Sequence, residues 1–467
     1  MPINFGLESY ISYFLYGIAI AAALLSVFWR PIVGILYLLP LIPLQSLRYR
    51  INDLPLGESV VGIMLVAVGV GLWRQGKPIF VNTPWTKLIC IYVIFTFASL
   101  WHGSMFLGDS LPLPGSPRFG VWQDYIIMPV LLLFVAAIQP TKRQMQIMIV
   151  IMCLSTLEVN HSFWGTVSGH DFSSYSLEVE NLREGGNMGY AGTNGLAAFE
   201  AQSTIFLLAL AAFEKKFWLR SSYRALAGFS ATCLMYSFSR GGYVALLVGC
   251  FFLGLAKQRT LLVLLMVFLF TWTAIVPPAV QQRVMMSYDE QSQSVDHSAQ
   301  TRLSLWQDAM SLFSENPVVG TGYDTYAYMQ RQQRSDGGVG YYADTHNIYL
   351  KILVENGAVG LLLFLVLVIS MFGNGLLSSY RLQDPFLASL ALGFAGWVIC
   401  SLTACFFGDR WTFLQVNGYM WVLGGLVSHA LTIERNARQS QPISASQNET
   451  SADIAVPMLD PASGLQL

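Results

Sequence analysis

The chain has 467 residues, of which 54% are hydrophobic and only 11% are charged, and its mean hydropathy is +0.51. A soluble globular protein carries roughly twice that charged fraction, so the composition excludes an ordinary water-soluble protein and indicates a polytopic membrane protein. The formal net charge of −1 says little, because in such a protein the charge of each loop matters more than the sum.

Apolar runs of helical length recur along the whole chain. A hydrocarbon core about 30 Å thick needs roughly 20 apolar residues in a helix, and backbone groups in lipid must be satisfied within each segment. The sequence therefore predicts an all-α protein with twelve or thirteen transmembrane helices, since the second run is short and contains Pro40 and Pro43. The predicted spans are 11–29, 31–47, 58–74, 86–102, 121–139, 144–164, 194–214, 222–238, 241–257, 260–279, 357–374, 385–406 and 411–432.

The basic residues of the short loops predict the orientation. If the spans alternate, nearly all loop Lys and Arg residues fall on one side, which the positive-inside rule assigns to the cytoplasm; Arg48 and Arg50 are the exception. The opposite side receives the segments 103–120, 165–193 and 280–356. The polar residues after Arg438 predict a disordered cytoplasmic tail. The chain is thereby divided into an N-terminal helix bundle (1–279), a large outer loop (280–356), C-terminal spans (357–432) and a tail (433–467).

The stretch from Asp344 to Gly360 joins the long outer loop to a span. Asp344 or Thr345 is suited to cap a helix, because a short side-chain oxygen accepts from the free N–H groups of the first turn. That cap places His346 in the first turn, where the positive helix end disfavours an imidazolium and the N–H groups can meet an anion. A neutral imidazole there can act as a general base near pH 7. The alternative is a histidine without chemistry at the start of an interfacial helix.

The same predicted helix carries Asn347, Lys351 and Glu355 four residues apart on one face. Lys351 and Glu355 are predicted to form an ordinary ion pair within the helix.

Within the outer loop, apolar residues recur at helical spacing from Thr301 to Glu315. This pattern predicts an amphipathic helix lying against the membrane surface. Arg302 falls in its first turn, one turn before Trp306. An arginine there can also stack on the Trp306 indole or neutralise Asp308 without any functional role.

The stretch Ser237–Tyr243 is a tight turn between two apolar runs and places Arg240 at the outer membrane boundary. Gly241 and Gly242 would let the backbone approach a ligand closely, and the planar guanidinium suits phosphate oxygens. The alternative is an arginine that snorkels from a helix end.

An outer loop from Leu182 to Ala198 leads into a span that contains Glu200. An ionisable group inside a membrane usually has a partner, and Arg240 is a candidate. Glu158 and His161, near the outer end of the preceding span, could join the same polar cluster.

Four motifs follow one another between residues 180 and 375. They are Arg183-x-Gly-Gly with Gly-Thr-Asn-Gly-Leu-Ala (192–197), Ser-Arg-Gly-Gly (239–242), Arg302-x-x-x-Trp306 with Asn-Pro-x-x-Gly-x-Gly (316–322), and His-Asn-x-Tyr-Leu with Glu-x-Gly-x-x-Gly (346–360). In this order and topology they resemble the motifs of the bacterial O-antigen ligase family and of its relatives, the O-antigen polymerases and protein O-oligosaccharyltransferases.

The resemblance implies a fold like that of C-type membrane glycosyltransferases, with amphipathic helices in one large periplasmic loop. It also implies a metal-independent, inverting transfer on the periplasmic face of the inner membrane, from an undecaprenyl-diphosphate-linked glycan to an acceptor hydroxyl. In ligases that acceptor is the lipid A core, and in the relatives it is a growing glycan or a protein side chain. No cofactor and no nucleic acid partner are implied.

Carried over by position, the resemblance assigns His346 as the base on the acceptor. Arg240 and Arg302 would bind the diphosphate. The supporting residues would be Asn347, Tyr349, Glu355, Arg183 and Glu200.

Three alternatives stay open. The loop acids Asp289, Glu290 and Asp296 have oxygen ligands that would suit Ca²⁺ or Mg²⁺. A flippase or exporter of the same lipid-linked sugar is possible, although carriers usually keep their polar sites at mid-membrane rather than in a large outer loop. A non-catalytic component of a polysaccharide assembly system would leave the arginines simply snorkelling.

Overall fold

The computed structural model describes residues 8–176, 179, 188–286, 288–289, 294–295, 297–333 and 344–439. Within these ranges the regular elements are helices, apart from one short antiparallel pairing between β1 (Tyr288–Asp289) and β2 (Ser294–Val295). Arg183, Glu290 and Asp296 lie outside the described residues.

The helices follow one another with short connections. They are α1 (Glu8–Phe28), α2 (Ile32–Leu41), α3 (Gln45–Tyr49), α4 (Val60–Arg74), α5 (Thr86–Leu107), α6 (Pro117–Ile138), α7 (Lys142–Val167), α8 (Gly192–Phe213), α9 (Phe217–Tyr236), α10 (Arg240–Ala256), α11 (Arg259–Ile275), α12 (Pro278–Met285), α13 (His297–Glu315), α14 (Tyr326–Gln333), α15 (Ile348–Arg381), α16 (Pro385–Cys405) and α17 (Leu414–Gln439). A 3₁₀ turn, Gly189–Ala191, precedes α8.

Eight of the described helices are long and apolar enough to cross a membrane, or nine if the bent pair α11–α12 is counted as one span. The eight spans are Tyr10–Phe28, Gly57–Arg74, Thr86–Leu107, Pro117–Ile138, Lys142–Val167, Gly192–Phe213, Ile348–Arg381 and Pro385–Cys405. The chain is therefore a multi-span helical membrane protein, but the described helices that meet these criteria are fewer than the twelve or thirteen predicted spans.

The predicted spans that are not among these eight exist as helices that are too short, bent or too polar. The predicted span 31–47 is two helices, because Pro40 and Pro43 remove backbone donors near the end of α2 and before α3. Helix α10 has only 17 residues. Helices α9 and α17 are long enough, but polar residues such as Arg220 and Asn417 lower their hydropathy.

Burial separates central helices from peripheral ones. The spans of α8 and α16 are 83% and 78% buried, whereas the span of α1 is 17% buried and α11 has no buried residue. Without a hydrophobic drive between helices in lipid, such central helices are held by close packing and polar contacts. The core thus lies around α8 and α16, and α11 faces the surroundings.

Helix α15 is kinked at Gly357, whose φ is 65° and ψ −171°. The predicted end of the outer loop and the predicted span 357–374 are therefore one broken helix. The loop after α13 fills the break: Ala358 and Val359 donate their N–H groups to the carbonyls of Pro317 and Val318 at 2.9 and 3.2 Å.

The same loop bonds to the other side of the kink. The N–H groups of Thr321 and Gly322 donate to the carbonyls of Val354 and Glu355 at 2.9 and 2.7 Å. The Asn-Pro-x-x-Gly-x-Gly motif and the Glu-x-Gly-x-x-Gly motif are thus two halves of one backbone interlock.

Two further predicted boundaries are wrong. Helix α13 begins at His297 rather than at Thr301, so Arg302 lies in its second turn. Helix α17 continues to Gln439, past residue 433 where the tail was expected to begin; the residues after it lie outside the described ones.

Candidate active site

A cavity of about 330 Å³ opens where the start of α8, the turn before α10, the segment before α15 and the α16–α17 loop meet. Three sequence-predicted residues, Arg240, Arg302 and His346, line it together. Of the described residues around the cavity, four are arginines and none is acidic. The lining consists of Asn194, Phe238, Ser239, Arg240, Gly241, Gly242, Arg283, Arg302, His346, Ala404, Phe407 and Arg410.

Arg240 is the first residue of α10, after a three-residue turn from α9. Ser239 is the N-cap residue, but its side chain caps no backbone N–H of α10. It donates instead to Asn194 Oδ1 at 2.8 Å, and in this way the start of α8 holds the turn. Arg240 and a helix N-terminus with its positive end therefore face the same cavity, an arrangement suited to anions.

Gly241 and Gly242 serve helix packing as well as the cavity. A Cβ added at Gly241 would lie 2.8 Å from Phe407 Cβ, and one added at Gly242 would lie 2.6 Å from Ala197 Cβ. Both distances are shorter than real carbon contacts, so glycine is required for the start of α10 to pack against α8 and the α16–α17 loop.

Trp306 fixes α13 to the segment that carries His346. Its indole N–H donates to the Thr345 carbonyl at 2.8 Å, and its ring packs edge-on against Phe406 with the centroids 6.2 Å apart. Arg302, one turn earlier on α13, is thereby brought to the cavity beside His346.

His346 lies outside the helix that follows it. Helix α15 begins at Ile348, and its cap is Asn347, whose Oδ1 accepts from the N–H groups of Tyr349 and Leu350 at 3.0 and 3.3 Å. The predicted cap at Asp344 or Thr345 and the predicted place of His346 in the first turn are both wrong. His346 has a φ of 52°, a left-handed conformation that cannot continue into a helix.

The turn around His346 is held by its neighbours. Thr345 Oγ1 donates to the Asn347 carbonyl at 2.8 Å and accepts from the Asn347 N–H at 3.3 Å. Left-handed non-glycine residues cost about 1–3 kcal/mol and persist where surrounding contacts impose them, often at functional sites. The buried Thr345 and Asn347 side chains supply those contacts here.

Burial lowers the pKa of His346, and the nearby guanidinium groups of Arg302 and Arg410 lower it further. Asp344 and Asp409 act in the opposite direction without reversing the result. The imidazole is therefore neutral at pH 7. The sequence pattern predicts the same neutral state, but from the helix end; the structure produces it by desolvation and two arginines.

Three of the predicted supporting residues, the α15 cap Asn347 and Tyr349 and Glu355 within α15, hold the backbone and do not line the cavity. Asn347 caps the helix, and the Tyr349 hydroxyl donates to the Leu402 carbonyl of α16 at 2.8 Å. The buried Glu355 carboxylate accepts from the N–H groups of Asp324 and Tyr326 at 3.1 and 3.3 Å. These contacts fix α15 against α16 and against the start of α14.

Lys351 pairs with Asp409 and not with Glu355 as predicted. Its Nζ lies 2.8 Å from Asp409 Oδ2, and only 6% of the Asp409 side chain is exposed. The carboxylate of Glu355 is already occupied by two backbone N–H groups. The ion pair joins α15 to the loop that carries Arg410.

Glu200 is fully buried in α8, in a polar cluster with Asn160 of α7 and Ser230 of α9. The Asn160 amide satisfies both of its polar atoms when its nitrogen faces Glu200 and its oxygen faces Ser230. In this orientation the nitrogen donates to Glu200 Oε1 at 2.7 Å. Arg240 is not a member of this cluster. Glu158 and His161 do not join it either, since they form an exposed pair 3.8 Å apart.

Sequence reasoning missed two arginines of the cavity, Arg283 on α12 and Arg410 in the α16–α17 loop. A signal for Arg410 was available. Gly408-Asp409-Arg410 lies in a tight connection between two apolar runs on the predicted outer side, which is the same setting that singled out Arg240. For Arg283, Pro277-Pro278 marked a break after α11, but nothing in the sequence indicated that the short helix after the break reaches the cavity.

In the described part of the chain, no three His, Cys, Asp or Glu side chains lie close enough together to hold a metal ion. Of the loop acids considered for a cation, Asp289 lies in β1, while Glu290 and Asp296 are outside the described ranges.

A protein-family model described as O-antigen ligase matches residues 225–365. The matched segment includes Arg240, Arg302 and His346 and ends before Arg410. No curated protein shows significant similarity to the chain.

Proposed function

Given that this multi-span membrane protein belongs to the O-antigen ligase family and is a glycosyltransferase-type enzyme, we propose that it takes its glycan from undecaprenyl diphosphate. The acceptor is a hydroxyl group of a lipid, a glycan or a protein. The transfer inverts the anomeric centre, needs no metal, and takes place on the periplasmic face of the inner membrane. The product is a lipopolysaccharide or another surface polysaccharide, and the C-terminus is cytoplasmic.

The observation that carries this proposal is the shared cavity of Arg240, Arg302 and His346. An inverting transfer needs a base for the acceptor hydroxyl and cationic groups for the leaving diphosphate. The cavity combines one neutral imidazole with guanidinium groups and a helix N-terminus. If Arg240 and Arg302 only snorkelled from separate helix ends, there would be no reason for both to line one cavity with His346.

In the proposed step, His346 accepts the proton of the acceptor hydroxyl while that oxygen attacks the anomeric carbon. The bond between this carbon and the diphosphate oxygen breaks, and its electron pair remains on the diphosphate. Attack from the side opposite the leaving group inverts the configuration. Undecaprenyl diphosphate leaves, and His346 releases its proton to water. Arg240 and Arg302 stabilise the negative charge that grows on the diphosphate.

The lipid-linked form of the donor is supported by α11 and α12. Helix α11 has no buried residue, and side chains such as Phe270, which is 81% exposed, are available to lipid. It bends by 108° into α12, which carries Arg283 to the cavity. A polyprenyl tail lying along α11 would have its diphosphate at the arginines.

The test uses the purified protein in lipid vesicles with an undecaprenyl-diphosphate glycan and a panel of lipid, glycan and peptide acceptors, with and without a chelator. We expect transfer with chelator present. The His346→Ala variant should lose about 10²- to 10⁴-fold in rate, the usual contribution of a general base. His161→Ala is the control, since His161 is exposed and outside the cavity.

Two outcomes would contradict the proposal. Full transfer by His346→Ala would show that His346 is not the base. Loss of transfer in the presence of a chelator would show that the reaction needs a metal. A flippase would instead move the lipid-linked sugar equally well with either variant and yield no transfer product. Product on one class of acceptor would separate ligase, polymerase and protein glycosylation.

A further inference from the structure

Arg410 lines the cavity together with His346 and Arg302, although it lies beyond residue 365, where the family match ends. It belongs to the short loop between α16 and α17. Its position depends on a different part of the chain from the one that supplies Arg240, Arg302 and His346.

The backbone of Arg410 is held by a buried polar network. Asn417 of α17 donates from Nδ2 to the Arg410 carbonyl at 2.6 Å. The Asn417 Oδ1 in turn accepts from Ser401 of α16 at 2.8 Å and from Gln202 of α8 at 3.1 Å. Three central helices thus fix the point from which this side chain extends, which is the pre-organisation expected of a ligand-binding residue.

The guanidinium of Arg410 makes no hydrogen bond or ion pair with any residue in the described ranges, and it lies over the Phe413 ring at 5.8 Å. The neighbouring Asp409 does not neutralise it by contact, because its carboxylate bonds to Lys351 at 2.8 Å and to Thr412 at 3.3 Å. Asp344 and Asp409 act on this guanidinium through space, without a hydrogen bond or ion pair to it. A largely buried guanidinium in this situation can still take an anion in direct contact, and it gains little without one.

We propose that Arg410 is a third guanidinium on the diphosphate of the lipid-linked donor, beside Arg240 and Arg302. This inference rests on the proposed function, in which the diphosphate is the one charged group that enters the cavity. Breaking the glycosidic bond adds negative charge to the diphosphate, and a planar fork of donors matches its oxygens better than a point charge does.

The test measures the dissociation constant of undecaprenyl diphosphate, which binds without any transfer, for the full chain in lipid nanodiscs. The variants are Arg410→Gln and Arg410→Lys, with Arg381→Gln as the control on an exposed residue at the end of α15. We expect Arg410→Gln to weaken binding about tenfold or more, as for the loss of a charge-assisted hydrogen bond. Arg410→Lys should weaken it less, and Arg381→Gln not at all.

Undecaprenyl monophosphate serves as the second ligand. Its affinity should fall less in Arg410→Gln than that of the diphosphate, because fewer anionic oxygens are present. Melting temperatures equal to that of the wild type show that the variants are folded; if Arg410→Gln is unstable, Arg410→Lys still reports the contact.

Equal affinity of the wild type and the folded Arg410 variants for the diphosphate would overturn the assignment of Arg410 alone. Failure of the wild type itself to bind undecaprenyl diphosphate would overturn the proposed function, and this assignment with it.

Discussion

At the residue scale, the site combines one histidine with several arginines, and burial determines how they behave. Desolvation and the guanidinium groups of Arg302 and Arg410 lower the pKa of His346, which disfavours the charged imidazolium. A histidine on an exposed helix end would titrate near 6.5. The same arginines that would bind the diphosphate thus keep the base deprotonated before substrate arrives.

The pH dependence follows from the signs of these effects. Only neutral His346 accepts a proton, so kcat/KM should rise with pH through its lowered pKa, with the midpoint of this limb below that of an ordinary histidine. Replacing Arg302 by Gln removes a group that lowers the pKa and should move this limb to higher pH. Asp344→Asn removes a group that raises the pKa and should move it to lower pH. A pH–rate profile of each variant tests this, and a limb that shifts the same way in both would contradict it.

For binding a diphosphate, the planar shape of the Arg240 and Arg302 guanidinium groups should matter as much as their charge. We expect Arg240→Lys and Arg302→Lys each to reduce kcat/KM by about tenfold or more, because an ammonium cannot form two parallel hydrogen bonds to a diphosphate. Arg74→Lys at the end of α4 is a control outside the cavity. Unchanged glycan transfer with lysine at both 240 and 302 would speak against their role on the diphosphate.

At the element scale, the kinked helix α15 positions the base. Its first part is capped by Asn347 next to His346, and its break at Gly357 receives the loop after α13 through four backbone hydrogen bonds. Because α13 also holds Trp306 and Arg302, the interlock couples the cation to the base. Through the Trp306–Thr345 hydrogen bond, α13 and the segment before α15 bring Arg302 and His346 to the cavity together.

Gly357 should therefore be sensitive to a single added methyl group. A Cβ there would lie 2.2 Å from the Val318 carbonyl oxygen, and the φ of 65° is itself unfavourable for alanine. We expect Gly357→Ala to lower stability by about 1–3 kcal/mol and to reduce transfer. In the same helix, Gly373 has no atom within 4 Å of an added Cβ, so Gly373→Ala should be neutral or slightly stabilising. Equal melting temperatures for the two variants would refute the interlock.

At the scale of the whole molecule, polar residues are concentrated on the central helices and lipid-facing surface on the peripheral ones. The buried polar residues lie among the packed helices α7, α8, α9, α16 and α17. They include Glu200, Gln202, Ser401 and Asn417. Polar groups in a membrane interior are costly unless they bond to one another. Here they join the helices that carry the cavity, and α11 is left to face lipid.

Glu200 should contribute to this framework through its oxygens rather than through its charge. Glu200→Gln keeps an acceptor for Asn160 and should leave melting temperature and transfer close to the wild type. Glu200→Leu removes the acceptor and leaves buried Asn160 and Ser230 groups unsatisfied, which should cost about 1–3 kcal/mol. Thermal unfolding in detergent measures both, and a large loss of transfer in a fully stable Glu200→Gln would indicate a role for the charge.

Local composition and residue spacing were enough to predict several properties of the protein. Hydropathy sufficed for the helical membrane class, and helical periodicity for the amphipathic α13. The motif order sufficed to select Arg240, Arg302 and His346, which the structure brings to one cavity. Each of these features is contained in the composition of a short stretch or in the order of short motifs along the chain, so a linear pattern contains them.

Helix packing sets which groups meet across long stretches of chain. It also sets the place of His346: the local cap at Asn347 leaves this residue outside α15, and Trp306 of α13 bonds to the neighbouring Thr345 carbonyl. It paired Lys351 with Asp409 because backbone N–H groups already occupy Glu355. It also brought Arg283 and Arg410 to the cavity. The Lys351 pairing and the positions of the two arginines depend on partners far apart in sequence, which meet only when the helices pack.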